Sequence, residues 1–174
     1  MKSRINIRAF AVFAALAVVF SGASVTYAAS AAPLGFQLLC LQNPAQCQGG
    51  GASIIGLTQP VLATITTTNS RVNRAITPRV EVKTDRWVVG ATSGDCEDYV
   101  LTKRQVLIEQ GLPPSALRIA HVRTRKGEDH AILVVKTDAG DLTLDNLRSE
   151  VVLLGQTGYQ LLAISGANPM DWSR

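Results

Sequence analysis

Aromatic residues and dense charge clusters are scarce in this sequence. Phe, Trp and Tyr make up 5% of the 174 residues, and charged residues make up 17%. Nucleic-acid-binding surfaces combine basic side chains with aromatic stacking residues. The densest basic group has no aromatic residue interleaved with it, and its members are Arg118, Arg123, Arg125 and Lys126. The sequence therefore gives no indication of nucleic-acid binding, and it contains no internal repeat or low-complexity tract.

The longest apolar run lies near the N-terminus, at residues 9–20. Three basic residues precede it and small residues follow it, which is the order found in a secretory signal peptide. Cleavage is expected after Ala28 or Ala31. The alternative is an uncleaved membrane anchor, but the strongly apolar part falls short of the roughly 20 residues that a helical span needs.

Export determines the compartment and the size of the remaining chain. A lipoprotein is disfavoured because Leu39 precedes Cys40, where a lipoprotein signal has a small residue. Removing residues 1–28 removes three of the 17 basic residues and none of the 13 acidic ones, so the net charge falls from +4 to +1. We expect residues 1–28 to be a signal peptide and residues 33–174 to form one periplasmic domain, large enough for a hydrophobic core.

The three cysteines of an exported chain leave one over after pairing. Cys40 and Cys47 are seven residues apart across a loop that contains Pro44, a spacing that favours a disulfide. A metal clip that uses this pair with Cys96 or a histidine is the alternative, but the spacing matches no familiar zinc arrangement. Cys96 is then the free thiol.

Two helices are predicted before the middle of the chain. In residues 58–76, Pro60 suits a first helical position, and one face is apolar: Val61, Ile65, Val72 and Ile76. In the second helix Asp95 can act as the N-cap, and Gly111 with the prolines that follow it ends the helix. Cys96 therefore lies in a first turn, among free backbone N–H groups.

The second half of the chain changes to alternating segments and a short apolar run separated by turns, which predicts antiparallel strands. The predicted strands are residues 117–124, 130–137, 141–147 and 159–165. Helices followed by a meander of strands predict an α+β domain, with a helix packed on an antiparallel sheet.

Three residue types suited to thiol chemistry meet in this pattern. Cys96 begins a helix, His130 begins a strand, and the turn at residues 138–140 returns Asp145 towards His130. A thiol, an imidazole and a carboxylate can serve as nucleophile, base and orienting acid. The alternatives are a small buried cysteine, an ordinary polar histidine and an aspartate that makes a turn. His121 is a second candidate base, ranked behind His130 because it lies in mid-strand.

The acidic neighbours of Cys96 pose a conflict. A helix N-terminus and an adjacent imidazolium lower the pKa of a thiol, whereas the carboxylates of Asp95 and Glu97 raise it. The sequence alone leaves open which influence prevails.

Several segments resemble the bacterial transglutaminase-like cysteine proteinase family, whose members include LapG-type periplasmic proteases. They are "GDCEDYVLTKRQVLIEQGLP", "HAILVVKTDAGDLTLDNL", "GFQLLCLQNPAQC" and the stretch "RVNRAI" with Trp87. The resemblance covers roughly residues 33–165. It implies a papain-like, transglutaminase-type core and a cysteine endopeptidase, in which Cys96 is the nucleophile, His130 the general base and acid, and Asp145 the orienting residue.

The resemblance also implies a cofactor and partners. In LapG-type members the acids beside the nucleophile take part in calcium binding, and the matching positions are Asp95 and Glu97, with Asp98 nearby. A bound cation would cancel the negative field at the thiol. Without calcium, Asp95 would merely cap the helix and Glu97 would face solvent. The expected partners are a protein substrate such as a surface adhesin, and an inner-membrane receptor that regulates the protease.

Two other activities stay open. Transfer of the acyl group to a lysine amine instead of water would be transglutaminase chemistry on the same core. A non-enzymatic periplasmic module that binds calcium or a protein is the alternative to an enzyme. The side chain that would complete an oxyanion hole is not assigned, and Trp87 is one of several candidates.

Overall fold

A computed structural model describes residues 29–79 and 86–174 of the protein. The predicted signal peptide lies outside the described residues. The helices are α1 (Leu34–Gln42), α2 (Gln59–Ala75) and α3 (Cys96–Glu109). The strands are β1 (Ala29–Ala31), β2 (Thr77–Pro78), β3 (Ser93–Gly94), β4 (Leu117–Arg123), β5 (Asp129–Thr137), β6 (Gly140–Leu144), β7 (Val152–Leu153), β8 (Gln160–Ser165) and β9 (Asp171–Ser173).

Helices α2 and α3 correspond to the two predicted helices. The hydroxyl of Thr58 accepts a hydrogen bond from the amide of Val61 and caps α2. Gly111 follows α3 with a φ of 90°, the left-handed conformation that glycine adopts readily at helix ends. Asp95 occupies the N-cap position of α3, but its side chain makes no capping hydrogen bond there.

The four predicted strands are confirmed as β4, β5, β6 and β8. They belong to an antiparallel sheet in the order β1-β9-β8-β4-β5-β6-β7. Strand β6 ends at Leu144, earlier than predicted. In the β4–β5 pair, Val122 lies opposite His130, which places the histidine at the beginning of a central strand.

Successive side chains of a strand point to opposite faces of the sheet, and both faces of this sheet carry buried apolar residues. Ile119, Ala131 and Leu133 contribute to the large core beneath the helices. Ala120 and Ile132 contribute to a smaller cluster that also contacts Tyr159. The α+β prediction is therefore confirmed, and α3 packs directly on β5.

The N-terminal region differs from the predicted loop. Cys40 lies within α1 and forms the predicted disulfide with Cys47, with 5.7 Å between the Cα atoms. The same helix buries Phe36 and Leu39 in the core. The apolar residues of α1 follow one another without a clear helical period, so the sequence pattern did not reveal the helix. In the described part of the chain, no helix combines the length and apolarity needed to cross a membrane.

Candidate active site

Cys96 is the first residue of α3 and is partly buried. Its thiol donates a hydrogen bond to Oε2 of Glu97 over 2.9 Å. Burial raises the pKa of Cys96, and the charge of Glu97 and this hydrogen bond raise it further. A hydrogen bond from the backbone amide of Ala131 lowers the pKa but does not outweigh these effects. The conflict posed by the sequence is thus decided here in favour of the neutral thiol.

Glu97 and Asp95 lie together beside the thiol. Burial raises the pKa of Glu97, and the hydrogen bond from Cys96 lowers it. The charge of Asp95 and a side-chain contact with Asp95 raise the pKa of Glu97 further. Two carboxylates in contact repel each other unless a proton or a cation lies between them. The pair therefore has the oxygen ligands and the charge that suit Ca²⁺.

Asp98 has a different environment from these two acids. Its side chain is buried, and Oδ1 accepts a hydrogen bond from the amide of Val88 over 2.8 Å. A Cβ at Gly94 would collide with the Asp98 carboxylate. Within residues 29–79 and 86–174, no three or more His, Cys, Asp and Glu side chains form a group that could hold a metal ion. A calcium ion at Asp95 and Glu97 would therefore need backbone carbonyl oxygens and water as further ligands.

His130 and Asp145 form a buried pair next to the first turn of α3. Nε2 of His130 lies 2.8 Å from Oδ1 of Asp145. The histidine is 8% exposed and the aspartate 0%. Thr137 and Gly140 close the hairpin between β5 and β6, which returns the chain so that Asp145, one residue after β6, meets the beginning of β5.

The carboxylate of Asp145 has further hydrogen-bond donors besides His130. The amide of Leu147 donates to Oδ1 over 2.9 Å, and the hydroxyl of Tyr159 donates to Oδ2 over 2.7 Å. Nε of Arg148 lies 3.4 Å from Oδ2. Burial opposes ionisation of Asp145, but the hydrogen bonds from His130, Leu147 and Tyr159 outweigh it and lower the pKa. The aspartate is therefore held as a carboxylate.

Tyr159 and Arg148 were missed by the sequence analysis as members of this site. Tyr159 was read as the beginning of a strand; in the structure its ring stands edge-on to that of His130, with 6.1 Å between the centroids. The Arg148 guanidinium lies over the same tyrosine ring, 5.1 Å from its centroid. No local pattern identifies Tyr159, because its contacts depend on how β8 returns to the sheet, whereas Arg148 lies only three residues after Asp145.

Tyr159→Phe is expected to destabilise the protein by about 1–3 kcal/mol at pH 7, because a buried acceptor loses a donor. The stability linked to the lowered pKa of Asp145 is present above the unfolded pKa and is lost as pH falls through the folded pKa. Without the hydroxyl that folded pKa rises, so the variant should show a weaker acid dependence. Urea unfolding between pH 3 and 7 measures both effects.

Tyr99→Phe is the matched control, since its hydroxyl donates to the carbonyl of Ile76 and not to Asp145. It should lose stability by a similar amount at every pH in this range. An unchanged acid dependence in Tyr159→Phe would show that its hydroxyl does not support the Asp145 carboxylate.

The thiol and the imidazole are neighbours through the backbone. Cys96 interacts with the amide of Ala131, the residue after His130, while its side-chain partner is Glu97. A cleft of about 530 Å³ lies beside them, lined by Glu97 and His130 together with residues of β4 and β8. An extended peptide in this cleft would pass next to His130 and Glu97.

His121, the second candidate base, lies in an aromatic cluster. Its ring centroid is 5.9 Å from that of Trp87 and 5.2 Å from that of Trp172. The histidine also lines the cleft, but the structure pairs Asp145 with His130 and not with His121. Trp87 is 4% exposed and contributes to the core around this cluster.

Comparison with known proteins identifies the family and the fold. A sequence profile of the bacterial transglutaminase-like cysteine proteinases (BTLCP) matches residues 26–174. No curated protein sequence matches the chain. Among solved structures, Legionella pneumophila LapG is similar at 22% identity, with a TM-score of 0.57, over 67% of this chain and 70% of that chain.

Two further structures of Legionella pneumophila LapG are also similar to this chain. Calcium-bound Legionella pneumophila LapG matches with a TM-score of 0.57 at 22% identity, over 63% of this chain and 67% of that chain. EGTA-treated Legionella pneumophila LapG matches with a TM-score of 0.56 at 22% identity, over 63% and 66%. The structural likeness establishes a shared fold. Because the family profile spans residues 26–174, the chain belongs to the bacterial transglutaminase-like cysteine proteinase family.

Proposed function

We propose that the protein is a periplasmic cysteine endopeptidase that uses Cys96, His130 and Asp145. The observation that carries this proposal is the buried 2.8 Å contact between His130 and Asp145, beside the helix N-terminus that bears the chain's free thiol. Family membership supplies the cysteine proteinase class, and the geometry supports these residues for its three roles.

The proton transfers follow from the hydrogen bonds. Asp145 engages Nε2 of His130, so Nδ1 is the ring nitrogen left to exchange a proton with substrate and thiol. The Cys96 thiol transfers its proton to His130, and the thiolate attacks a peptide carbonyl carbon. Backbone N–H groups at the start of α3 stabilise the oxyanion. His130 then protonates the departing amine, and water releases the acyl group from sulfur.

Calcium is proposed as a support for this chemistry. Asp95 and Glu97 would hold the ion, since their adjacent carboxyl groups offer hard oxygen ligands. A bound Ca²⁺ would offset the negative charge that raises the pKa of Cys96. In the described conformation, Glu97 accepts the thiol hydrogen bond, and proton transfer to His130 requires that this contact be given up. One similar structure is of calcium-bound LapG.

Family membership and the N-terminal sequence support a proposal for the substrate and the cellular setting. We propose a protein substrate, such as a surface adhesin, and an inner-membrane receptor as regulator. Residues 1–28 would direct export, and residues 33–174 would form the catalytic domain. Water is proposed as the acyl acceptor because the family is proteolytic.

A second candidate function is favoured by one specific observation. The thiol is neutral and bound to Glu97, as expected of a cysteine that is not an active nucleophile. The protein would then be a periplasmic module that binds calcium or a protein through the same core.

The test is the rate at which iodoacetamide alkylates Cys96 in the mature protein, with calcium or with EGTA, between pH 5 and 9. Cys40 and Cys47 are disulfide-bonded, so the reaction reports Cys96 alone. A triad predicts rapid alkylation below pH 7 with calcium, and a loss of about tenfold or more in His130→Ala, because the imidazolium stabilises the thiolate.

His121→Phe is the matched control, because it replaces the other histidine and keeps a ring between Trp87 and Trp172. It should alkylate like the wild type. If alkylation rises only near the pKa of an ordinary thiol, and if neither His130→Ala nor calcium changes it, the endopeptidase proposal is overturned in favour of the binding module.

A further inference from the structure

A buried lysine lies behind the proposed acid. Lys103 is in α3, its side chain is 0% exposed, and within the described residues Nζ has no hydrogen-bond partner. The ammonium lies over the ring of Tyr99, 5.7 Å from its centroid. Lysine is rarely buried without a partner, so its position calls for an explanation.

Two asparagines of α2 have buried side-chain oxygens that lack hydrogen-bond donors among the described residues. The Nδ2 group of Asn73 donates to the carbonyl oxygens of Asp145 and Arg148 over 2.8 and 3.1 Å. Asn69 donates to the carbonyl oxygens of Arg148 and Ser149 over 3.3 and 3.0 Å. These bonds hold residues 145–149, here called the acid loop. Oδ1 of each asparagine is buried, and neither has a hydrogen-bond partner among the described residues.

The packing of α2 against α3 places Lys103 and the two asparagines at the same height along the helix pair. At one end of the contact, the hydroxyl of Tyr99 donates to the carbonyl of Ile76 over 2.7 Å. At the other end, the hydroxyl of Thr68 donates to Oε1 of Gln110 over 3.3 Å. The helices are thus antiparallel, and Lys103 on α3 lies within the same interval as the two asparagines on α2.

Electrostatics supports the same placement. Burial lowers the pKa of Lys103 to about 7, and the negative charge of Asp145 opposes that effect. Lys103 is therefore close enough to the Asp145 carboxylate for that charge to affect the pKa of the lysine. Its ammonium has donors to offer where Asn69 and Asn73 have unsatisfied acceptors, and a buried water that bridges such groups is common in proteins.

We propose that Lys103 is a positioning residue for the acid loop: its ammonium interacts through a bridging water with the side-chain oxygens of Asn69 and Asn73 and so orients the amides that hold Asp145 in place. With Oδ1 directed to the ammonium, Nδ2 of each asparagine is directed to the loop carbonyls. Lys103 then acts on His130 through Asp145. The inference rests on the proposed role of Asp145 as the orienting acid.

The test is Lys103→Met, which keeps the length of the side chain and removes its charge. Solvent exchange of the His130 Nε2 proton, observed by NMR, reports the contact with Asp145 independently of catalysis. We expect this exchange to become about tenfold faster and Cys96 alkylation to become about fivefold slower. The thermal midpoint should fall, because two buried acceptors lose their donor.

Lys136→Met is the matched control, since Lys136 pairs with Asp141 at the partly exposed hairpin end of β5 and β6. It should change neither exchange nor alkylation. Lys103→Gln, which keeps a donor without the charge, is the second variant if Lys103→Met does not fold, and we expect it to give intermediate exchange.

The outcomes separate this inference from the proposed function. An exchange rate in Lys103→Met equal to that of the wild type would overturn the positioning role, whatever the alkylation rate. Slow alkylation of the wild type would overturn the endopeptidase, while accelerated exchange in Lys103→Met would still establish that Lys103 positions Asp145. Exchange that is accelerated equally at backbone amides remote from the acid loop would also overturn the inference, since general loosening would then explain both the exchange and the alkylation rates.

Discussion

Cys96→Ala is expected to lower the rate of peptide cleavage by about 10⁴-fold or more, since removal of a nucleophile removes the covalent route altogether. The measurement is the appearance of new peptide termini in a library of unstructured peptides, followed by mass spectrometry in the presence of calcium. Such a library does not require the natural substrate to be known. The same preparation of wild-type protein should cleave a limited set of sequences.

The substitution should leave the fold intact. Cys96 is partly buried at the end of a helix, and loss of one sulfur atom there is expected to cost about 1 kcal/mol or less. Urea unfolding of the variant provides this control. If Cys96→Ala kept the cleavage products and rates of the wild type, Cys96 could not be the nucleophile, and the activity would belong to another group or to a contaminant.

Removal of calcium is the second large effect. Chelation by EGTA is expected to lower peptide cleavage by the wild type by about 10²-fold, because the charges of Glu97 and Asp95 then act on the thiol without compensation. Glu97→Gln should lose the calcium response and bind calcium much more weakly in a calorimetric titration. Without calcium it should alkylate about tenfold faster than the wild type, because a neutral amide no longer opposes the thiolate.

Glu109→Gln is the matched control for this experiment. Glu109 lies at the opposite end of the same helix and accepts a hydrogen bond from Gln105, so its replacement changes the net charge equally without touching Cys96. It should keep the calcium response and the calcium affinity of the wild type. Normal calcium binding by Glu97→Gln would show that the ion is held elsewhere.

The effect of the acids on the thiol was only partly predictable from the sequence. The sequence identified Asp95 and Glu97 as the groups that could suppress Cys96, but it could not rank their effect against the helix N-terminus. The ranking depends on burial, since a desolvated thiol is more easily kept neutral. Burial of Cys96 results from packing against β5, which is a contact between distant parts of the chain.

The elements of the fold divide in the same way. Helix α2 and strands β4 and β6 were predictable from a period of apolar residues, α3 from its N-cap and the glycine that ends it, and β5 and β8 from short apolar runs. Helix α1 has no such period, and β1, β7 and β9 span two or three residues each. Strands that short are defined by the partners that pair with them, so a local pattern cannot reveal them.

Local patterns therefore determined the α+β class, the disulfide, and the residues that could carry thiol chemistry: Cys96 at a helix start, with His130 and Asp145 on a hairpin. Tertiary structure alone decided which groups surround them. Tyr159 reaches Asp145 from the residue before β8, and Asn73 reaches the acid loop from an earlier helix. The physical reason is that periodicity reports which face of an element is buried, whereas hydrogen bonds and charges across the core depend on how the elements pack.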